Sequence, residues 1–403
     1  MTITTTALSL LRRDISGAVP RYAGSSIAEL AANARRPLRV AVVRLDGIGD
    51  WILTLPLVEA LRGSRHIRTV TIVGLVAHSG ILGARPDVDF VPFEHGSIVD
   101  PPAPGGLLGK ILATTMPGQS AALAAGRAHN GAFDLVVLPR WDSDLGFNAR
   151  AFGAATGAAL AGHDPTAIPG VTAREARERR LLDIAARDTR PAAHEVEHGR
   201  MLASALGLDT EVSPGYGRRF FGLPEGAPRA RIIAVHPCAN EPKRQWPEEM
   251  WRELITRLAR GYDGEIVLVG SLADRPVHDR ILVGLPGSAR SAAGEVSLKA
   301  LPEFLGSAEA FIGNDSGPAH IASSVGTPVV VVSPHPRDGD IAHRNSPTRF
   351  GPWGTGSKVL QPEHALAPCS DSCVSHHPHC IIQVKPNAVL DAVDDVAPGL
   401  VAR

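Results

Sequence analysis

Cysteine, aromatic residues and surplus charge are all scarce in this chain of 403 residues. Four cysteines are too few for a disulfide scaffold, and 41 basic residues balance 41 acidic ones. The balance excludes a global basic field, so we expect no nucleic-acid partner. No apolar run reaches the roughly 18 residues that a membrane span needs, and the N-terminus is predicted to be a tail and not a signal peptide. We therefore expect a cytoplasmic protein without a transmembrane segment.

Two series of alternating strands and helices fill most of the chain. Continuous apolar stretches such as LRVAVVRL (38–45) and RIIAVHP (231–237) are typical of parallel strands covered on both faces. We expect an α/β fold with two Rossmann-like, doubly wound domains facing each other across a cleft. The predicted divisions are an N-terminal tail at 1–36, a first domain at 37–225 and a second domain at 226–403. In the first domain, AREARERRLLDIAARD (173–188) is predicted to be helical.

The stretch FIGNDSGPAH, residues 311–320, interrupts an apolar strand with small and polar residues. Proline is favoured at the first helical position, so a helix is predicted to begin near Gly317. Asp315, Ser316 and Gly317 would then form the loop at the carboxyl end of a strand, where the helix dipole favours an anion. His320 would lie in the first turn. The alternative is an ordinary capped helix with a surface histidine.

Two further loops of the second domain carry candidate ligand-binding residues. Lys243 and Arg244 follow another strand, and cations beside a helix N-terminus suit a diphosphate. Their alternative is a solvated pair on the surface. The backbone around Val296 lies in a glycine-containing loop and is suited to reading a nucleobase edge, with a plain capped turn as the alternative.

The first strand of the chain is followed by RLDGIGDW, with Gly47 and Gly49 in the turn. The third glycine of a dinucleotide fingerprint is missing, and a carboxylate at Asp50 would repel an approaching phosphate. We expect this loop to bind something other than pyrophosphate. Asp50 is interpreted either as a helix N-cap or as a general base that takes a proton from an acceptor hydroxyl, and Asp46 competes for that role.

The segment PRWDSDLGFNARAF, residues 139–152, ends another strand of the first domain. Arg140, Asp142 and Asp144 are predicted to contact the acceptor. The alternative is a capped helix start with a structural salt bridge.

Near the C-terminus, CSDSCVSHHPHC places Cys369, Cys373 and Cys380 around several histidines, His379 among them. Three thiolates and one imidazole can bind zinc or iron tetrahedrally, although C-x3-C-x6-C is not a standard zinc spacing. The alternative is a set of buried or surface thiols. A metal here is expected to be structural.

The order of VAVVRLDGIGDWILTLPLVEALR, KRQWPEEMW and FIGNDSGPAHIASSVGTPVV resembles the ADP-heptose–lipopolysaccharide heptosyltransferase family, glycosyltransferase family nine. The likeness covers most of residues 38–335. It implies a GT-B fold, with the acceptor on the N-terminal domain and the ADP-heptose donor on the C-terminal one. It further implies inverting, metal-independent transfer of a heptose in lipopolysaccharide biosynthesis, either free in the cytoplasm or peripherally attached to the inner membrane.

The resemblance also assigns roles to residues. It implies that Asp50 is the catalytic base and that Lys243 or Arg244 is the basic residue before Trp-Pro. The donor diphosphate and sugar would be bound by Asp315, Ser316, Gly317 and His320, and the adenine would lie along Val296. Asp46 and Gly47 stand where the family usually has serines, in the acceptor loop.

Other functions fit the same two-domain plan. A nucleotide-sugar epimerase is one, and a non-catalytic protein that only binds a nucleotide sugar is another. For a transferase, the acceptor would be a glycolipid of the lipopolysaccharide core, a secondary metabolite or a protein.

Overall fold

The computed structural model describes residues 24–83, 88–94, 117–141, 147–168, 176–343, 345–354, 356–370 and 374–402. Contacts among them define two compact units. The first unit takes its described residues from Met1–Gly47, Pro56–Pro191 and Glu195–Glu211. The second takes them from Ile48–Leu55, Ala192–His194 and Val212–Arg403. The predicted assignment of residues 37–225 to the acceptor and 226–403 to the donor stays a prediction.

The first unit is built on a parallel sheet of six strands. Its strands are β1 (Leu38–Val43), β2 (Ile67–Leu75), β3 (Asp89–Phe93), β4 (Leu135–Leu138), β5 (Ala159–His163) and β6 (Ile184–Ala186). They lie in the order β3-β2-β1-β4-β5-β6, which is the doubly wound order of Rossmann-like domains. The order reverses between β1 and β4, so the carboxyl ends of those two strands form the expected ligand edge of this sheet.

The helices up to the second sheet belong mainly to this unit. They are α1 (Ile27–Ala34), α2 (Ile48–Gly63), α3 (Ser79–Leu82), α4 (Pro117–Ala128), α5 (Phe147–Thr156), α6 (Glu195–Ala205) and α7 (Gly217–Phe221). Contacts group the first two turns of α2, Ile48–Leu55, with the second unit, and α7 belongs there as well.

The second unit repeats the plan with another parallel sheet of six strands. Its strands are β7 (Ile232–His236), β8 (Glu265–Leu268), β9 (Ala289–Ser291), β10 (Ala310–Asn314), β11 (Val329–Val332) and β12 (Ser357–Leu360). The order β12-β11-β10-β7-β8-β9 is again doubly wound, with its reversal between β7 and β10. The fold predicted for each domain is therefore confirmed, and the second ligand edge lies where β7 and β10 end.

The helices of the second sheet are α8 (Glu248–Gly261), α9 (Arg275–Leu282), α10 (Leu301–Ser307), α11 (Gly317–Ser324), α12 (Pro347–Phe350) and α13 (Pro386–Val396). In α8 the buried residues are Trp251, Leu254, Ile255 and Leu258. Their spacing of three and four residues places one apolar face against the sheet. The core of this unit also contains Trp246, which packs edge-on against Trp251 with ring centroids 5.0 Å apart. Among the described residues, no helix has the length and apolar character that crossing a bilayer requires.

Two local predictions differ from the structure. The segment 173–188, predicted to be helical, instead contains a short 3₁₀ turn at Arg177–Leu181 followed by strand β6. Ile184 is buried and pairs with β5, so a place at the edge of the sheet outweighs helix propensity. The second is SLKALPEFLGSA (297–308), which the sequence predicts as a helix capped by Ser297. The helix begins at Leu301, because residues 297–300 form a turn.

Candidate functional site

The edge where β7 and β10 end holds the motif that the sequence singled out. β7 closes with His236, and β10 closes with Asn314, directly before Asp315 and Ser316. Asn314 accepts a hydrogen bond from the Trp246 backbone at 3.0 Å and donates one to the Pro237 carbonyl at 2.6 Å. These two bonds fix the loop after β7 against the end of β10.

Helix α11 begins at Gly317, as the Gly-Pro pair predicted. Ser316 is its N-cap residue by position, but the serine hydroxyl donates to the Asn314 carbonyl at 3.1 Å instead of capping the helix. The capping alternative is therefore wrong for Ser316. The first N–H groups of this eight-residue helix lie at the positive end of its dipole and lack a side-chain cap from Ser316. Such an end favours an anion.

His236 is a component of this edge that the sequence analysis missed. Its Nδ1 lies 3.0 Å from the Ser316 hydroxyl. Since that hydroxyl donates to Asn314, the imidazole is the donor in the pair. Burial lowers the pKa of His236 to about 4, although the negative charge of Asp274 acts to raise it. The ring is therefore neutral at pH 7. A histidine closing a buried strand was the available signal, but only the strand order places it beside Ser316.

His320 lies in the first turn of α11 and is buried, which contradicts the alternative of a surface histidine. Burial lowers its pKa, and the nearby Asp315 acts in the opposite direction. A third buried histidine of this edge, His335, follows β11 and stacks on His343 with ring centroids 5.5 Å apart. Within the described residues, Nδ1 of His320 and Nδ1 of His335 are both buried without a hydrogen-bond partner.

The first turn of α2 packs directly against the first turn of α11 inside the second unit. A Cβ atom built on Gly49 would lie 2.6 Å from Cδ2 and 3.0 Å from Nε2 of His320. A Cβ atom on Gly317 would lie 2.3 Å from Cγ2 of Ile48. Both positions therefore favour glycine, because a Cβ atom at either one would overlap a side chain of the facing turn.

Asp50 follows Gly49 in the first turn of α2 and is half-buried. The N-cap of this helix is Gly47, so the interpretation of Asp50 as an N-cap is wrong. Its backbone carbonyl accepts a bond from the Thr54 hydroxyl at 2.8 Å. The carboxylate belongs to a helix turn that packs against His320 through Gly49.

The two cations after β7 have different surroundings. Arg244 lies in a 3₁₀ turn, Pro242–Arg244, and its guanidinium is 2.6 Å from Oδ1 of Asn345 and 3.7 Å from a carboxylate oxygen of Asp315. Lys243 instead pairs with Glu241 at 3.1 Å. Arg244 is thus the cation beside the Asp315–Gly317 loop.

Val296 lies half-buried in the turn between β9 and α10. The neighbouring Gly294 has φ +78°, a backbone conformation that favours glycine. Because β9 is the last strand on that side of the sheet, Val296 lies two strands away from the end of β7.

The ligand edge of the first unit carries a network of alternating charges. Arg44, 3% exposed, follows β1 and binds Asp46 at 2.8 Å and Glu195 at 3.1 Å. Arg140 follows β4 and binds the other oxygen of Asp46 at 2.6 Å. Asp46 and Arg140, both predicted to contact the acceptor, are therefore in direct contact with each other. Gly47 is exposed beside them. Asp142 and Asp144 lie outside the described residues.

Sequence analysis missed Arg44 and Glu195 in this network. Glu195 starts helix α6, about 150 positions from Arg44 in the chain, and only the fold brings the two together. A buried arginine bound to two carboxylates holds Asp46 in place, and Asp46 in turn holds Arg140.

The C-terminal segment brings three of the four predicted metal ligands together. The ligand atoms of Cys369, His379 and Cys380 all lie within 4.8 Å of one another. Burial raises the pKa of the Cys369 thiol, but hydrogen bonds from the Val374 backbone and from His379 outweigh it and hold the pKa at about 7. Cys373 lies outside the described residues.

Comparison with known proteins gives one family match. The model of glycosyltransferase family 9 (heptosyltransferase) matches residues 166–370. Lipopolysaccharide heptosyltransferase 1 of Pseudomonas aeruginosa is 27% identical over 188 residues, which cover 46% of this chain and 50% of that protein. Lipooligosaccharide heptosyltransferase 2 of Haemophilus influenzae is 32% identical over 107 residues, which cover 25% of this chain and 30% of that protein. The chain thus spans about half the length, or less, of these curated relatives.

Two solved structures show the same fold. The E. coli ADP-heptose lipopolysaccharide heptosyltransferase II has a TM-score of 0.57 and 19% identity, with 89% of this chain and 98% of that chain covered. The E. coli heptosyltransferase WaaC with ADP has a TM-score of 0.63 and 19% identity, with 89% and 100% covered. At this identity they support the two-domain GT-B architecture alone.

Proposed function

Because the chain belongs to glycosyltransferase family 9, we propose that it transfers a heptose from ADP-heptose to an acceptor hydroxyl group. The relatives that share this family are heptosyltransferases of lipopolysaccharide and lipooligosaccharide synthesis, and one related structure contains ADP. A glycolipid acceptor and a place in the cytoplasm, free or at the inner membrane, belong to the same proposal.

In this proposal the diphosphate of the donor binds at the N-terminus of α11. The amide groups of that first turn and the guanidinium of Arg244 would lie beside the position where negative charge develops as ADP leaves. The Ser316 hydroxyl would join them by turning its proton from the Asn314 carbonyl to the diphosphate. The neutral His236 donates its Nδ1 proton to the Ser316 hydroxyl and holds that side chain in place. His320, whose pKa is lowered by burial, is free to donate one hydrogen bond as a neutral ring. These groups would stabilise the leaving group without a metal ion.

Asp50 is the proposed general base. It takes the proton from the acceptor hydroxyl, and the oxygen then attacks the anomeric carbon on the face opposite the diphosphate. The bond between that carbon and the diphosphate oxygen breaks, ADP leaves with the electron pair, and the configuration at the anomeric carbon inverts. General-base assistance of this kind contributes about 100-fold to 10,000-fold in rate.

The observation that carries the proposal is the contact between Gly49 and His320. It brings the turn that holds Asp50 to within van der Waals distance of the turn that would hold the donor. A catalytic base and a leaving-group site must be that close if one acceptor hydroxyl is to reach both. Asp46 and Arg140 would contact the acceptor from the first unit, where their mutual ion pair leaves little net charge.

The experiment combines donor binding with product analysis. Thermal stabilisation by a panel of nucleotide sugars identifies the donor, and mass spectrometry then detects heptosylated products from a core glycolipid, a secondary metabolite or a peptide acceptor. We expect ADP-heptose to stabilise the protein and free ADP to appear only together with a glycosylated acceptor. An epimer of the donor without ADP release would indicate the epimerase, and donor binding without any product would indicate a non-catalytic binder.

Asp50→Asn provides the matched variant, because the amide keeps the shape of the carboxylate and removes its basicity. We expect ADP-heptose to stabilise it as it does the unmodified protein, while transfer falls by about 100-fold or more. Unchanged transfer in Asp50→Asn would remove the proposed base.

A further inference from the structure

The C-terminal segment of the second unit contains a group of side chains that the transfer reaction does not use. Nδ1 of His379 lies 3.5 Å from the sulfur of Cys369 and 3.5 Å from the sulfur of Cys380. Cys380 is fully buried and Cys369 nearly so. Two sulfurs therefore converge on one ring nitrogen below the protein surface.

The ring nitrogen of His379 cannot satisfy both sulfurs by hydrogen bonding. A single imidazole nitrogen has either one proton or one lone pair, so it can make one good hydrogen bond and not two. Both sulfurs also accept backbone N–H groups, from Val374 to Cys369 at 3.3 Å and from Leu366 to Cys380 at 3.5 Å. Two sulfurs and a ring nitrogen held this close together below the surface are three soft ligands suited to one cation.

A tetrahedral metal ion reproduces the spacing. With a metal–sulfur distance of about 2.3 Å and a metal–nitrogen distance of about 2.05 Å, a tetrahedral angle separates sulfur from nitrogen by about 3.6 Å. Both measured separations are 3.5 Å. We propose that Cys369, His379 and Cys380 bind a thiophilic divalent ion, zinc or ferrous iron, at a structural site in the second unit. Two thiolates and an imidazole suit these ions better than magnesium or calcium, which prefer oxygen ligands.

The metal site would connect the segment around residues 369–383 to the core of the second unit. Cys380 opens the 3₁₀ turn Cys380–Gln383, in which Ile381 is part of the core of the second unit. The Val384 carbonyl that follows accepts a bond from the Trp246 indole at 2.9 Å. Trp246 donates its backbone N–H to Asn314, so one short chain of contacts connects the proposed metal site with the end of β10. We therefore expect metal loss to lower stability first, since the free energy of metal binding contributes to folding.

The test measures metal content and not activity. The full chain, purified without chelators, is analysed by inductively coupled plasma mass spectrometry and, after exchange into cobalt, by absorption spectroscopy. We expect about one zinc or iron ion per chain and a thiolate-to-cobalt charge-transfer band in the near ultraviolet. Cys369→Ser and His379→Ala should lose both the ion and the band.

Matched controls come from the same chain. Cys238→Ser replaces a buried cysteine elsewhere in the second unit, and His377→Ala removes an exposed histidine two positions from His379. Both should keep the ion and the band. The proposal is overturned if the unmodified chain contains no stoichiometric metal and gives no cobalt band, or if His379→Ala retains both. Circular dichroism would check that His379→Ala is folded. If the cysteine variants do not fold, the cobalt spectrum of the unmodified chain decides whether thiolates bind the ion.

Discussion

Replacing Gly49 by alanine tests the contact on which the proposed active site depends. The added methyl group would lie 2.6 Å from Cδ2 of His320, well inside the 3.4 to 4 Å of ordinary contact. The His320 ring is buried, so it has little room to move aside. The first turn of α2, with Asp50, would have to shift by about 1 Å relative to α11.

Two effects of opposite sign determine how Gly49→Ala changes the free energy of unfolding. Alanine in place of glycine inside a helix stabilises by about 0.5 to 1 kcal/mol. Overpacking a buried contact destabilises by about 1 to 3 kcal/mol. Gly63, the last residue of the same helix, isolates the first effect because, among the described residues, no heavy atom lies within 4 Å of its Cβ position. We expect Gly49→Ala to be less stable than Gly63→Ala by about 1 to 3 kcal/mol.

Urea unfolding of both variants measures this difference, and transfer assays measure its consequence. A misplacement of about 1 Å near the chemistry reduces the rate by about 100-fold, so Gly49→Ala should lose about that much activity while Gly63→Ala loses none. In a His320→Ala background the obstructing ring is gone, and Gly49→Ala should no longer destabilise. Equal stability and activity of the two glycine variants, or the same penalty with and without the His320 ring, would refute the proposed contact.

Further predictions concern charged and histidine side chains at the sheet edge where β7 and β10 end. Arg244→Ala should weaken ADP-heptose binding by about 10-fold to 100-fold in calorimetric titration, because a charged hydrogen bond contributes about 1.5 to 3 kcal/mol. Lys243→Ala should change the affinity less than about threefold. Equal effects of the two substitutions would contradict the assignment of the phosphate contact to Arg244. The folded-state pKa of His236, about 4, lies below its usual 6.5, so the unfolded chain binds the additional proton between these values. Stability from this group is therefore complete above about pH 6.5 and falls by about 3 kcal/mol as the pH drops toward 4. His236→Asn keeps an N–H near Ser316 but does not titrate, so its unfolding free energy should depend less steeply on pH in that range; an unchanged slope would show that His236 is not buried as a neutral ring.

Sequence patterns predicted the parts of the fold that depend on local composition. Continuous apolar strands such as β1 and β7 indicated parallel sheets, and the Gly-Pro pair located the start of α11. The short strands β5, β9 and β12 were missed, because segments such as ALAGH and ARS lack a strand pattern of their own and are strands through their neighbours. For the same reason, strand β6 lies within the segment 173–188, where a helix was predicted, and pairs there with β5.

The candidate site shows the same limit. Asp315, Ser316 and Gly317 were found because their residue types are unusual between a strand and a helix. Finding His236 and Arg44 required the strand order. His236 contacts Ser316, about 80 positions away in the chain, and Arg44 contacts Glu195, about 150 positions away. The choice between Lys243 and Arg244 required the positions of Glu241 and Asn345, which no local pattern supplies.

A crystal structure of the chain with ADP-heptose would test the central claim most directly. We predict that the diphosphate lies at the N-terminus of α11, within about 3 Å of the Gly317 amide and the Ser316 hydroxyl, with Arg244 beside it. The Asp50 carboxylate should face the anomeric carbon from the side opposite the diphosphate. A diphosphate bound away from α11, or an Asp50 carboxylate turned away from the sugar, would contradict the account.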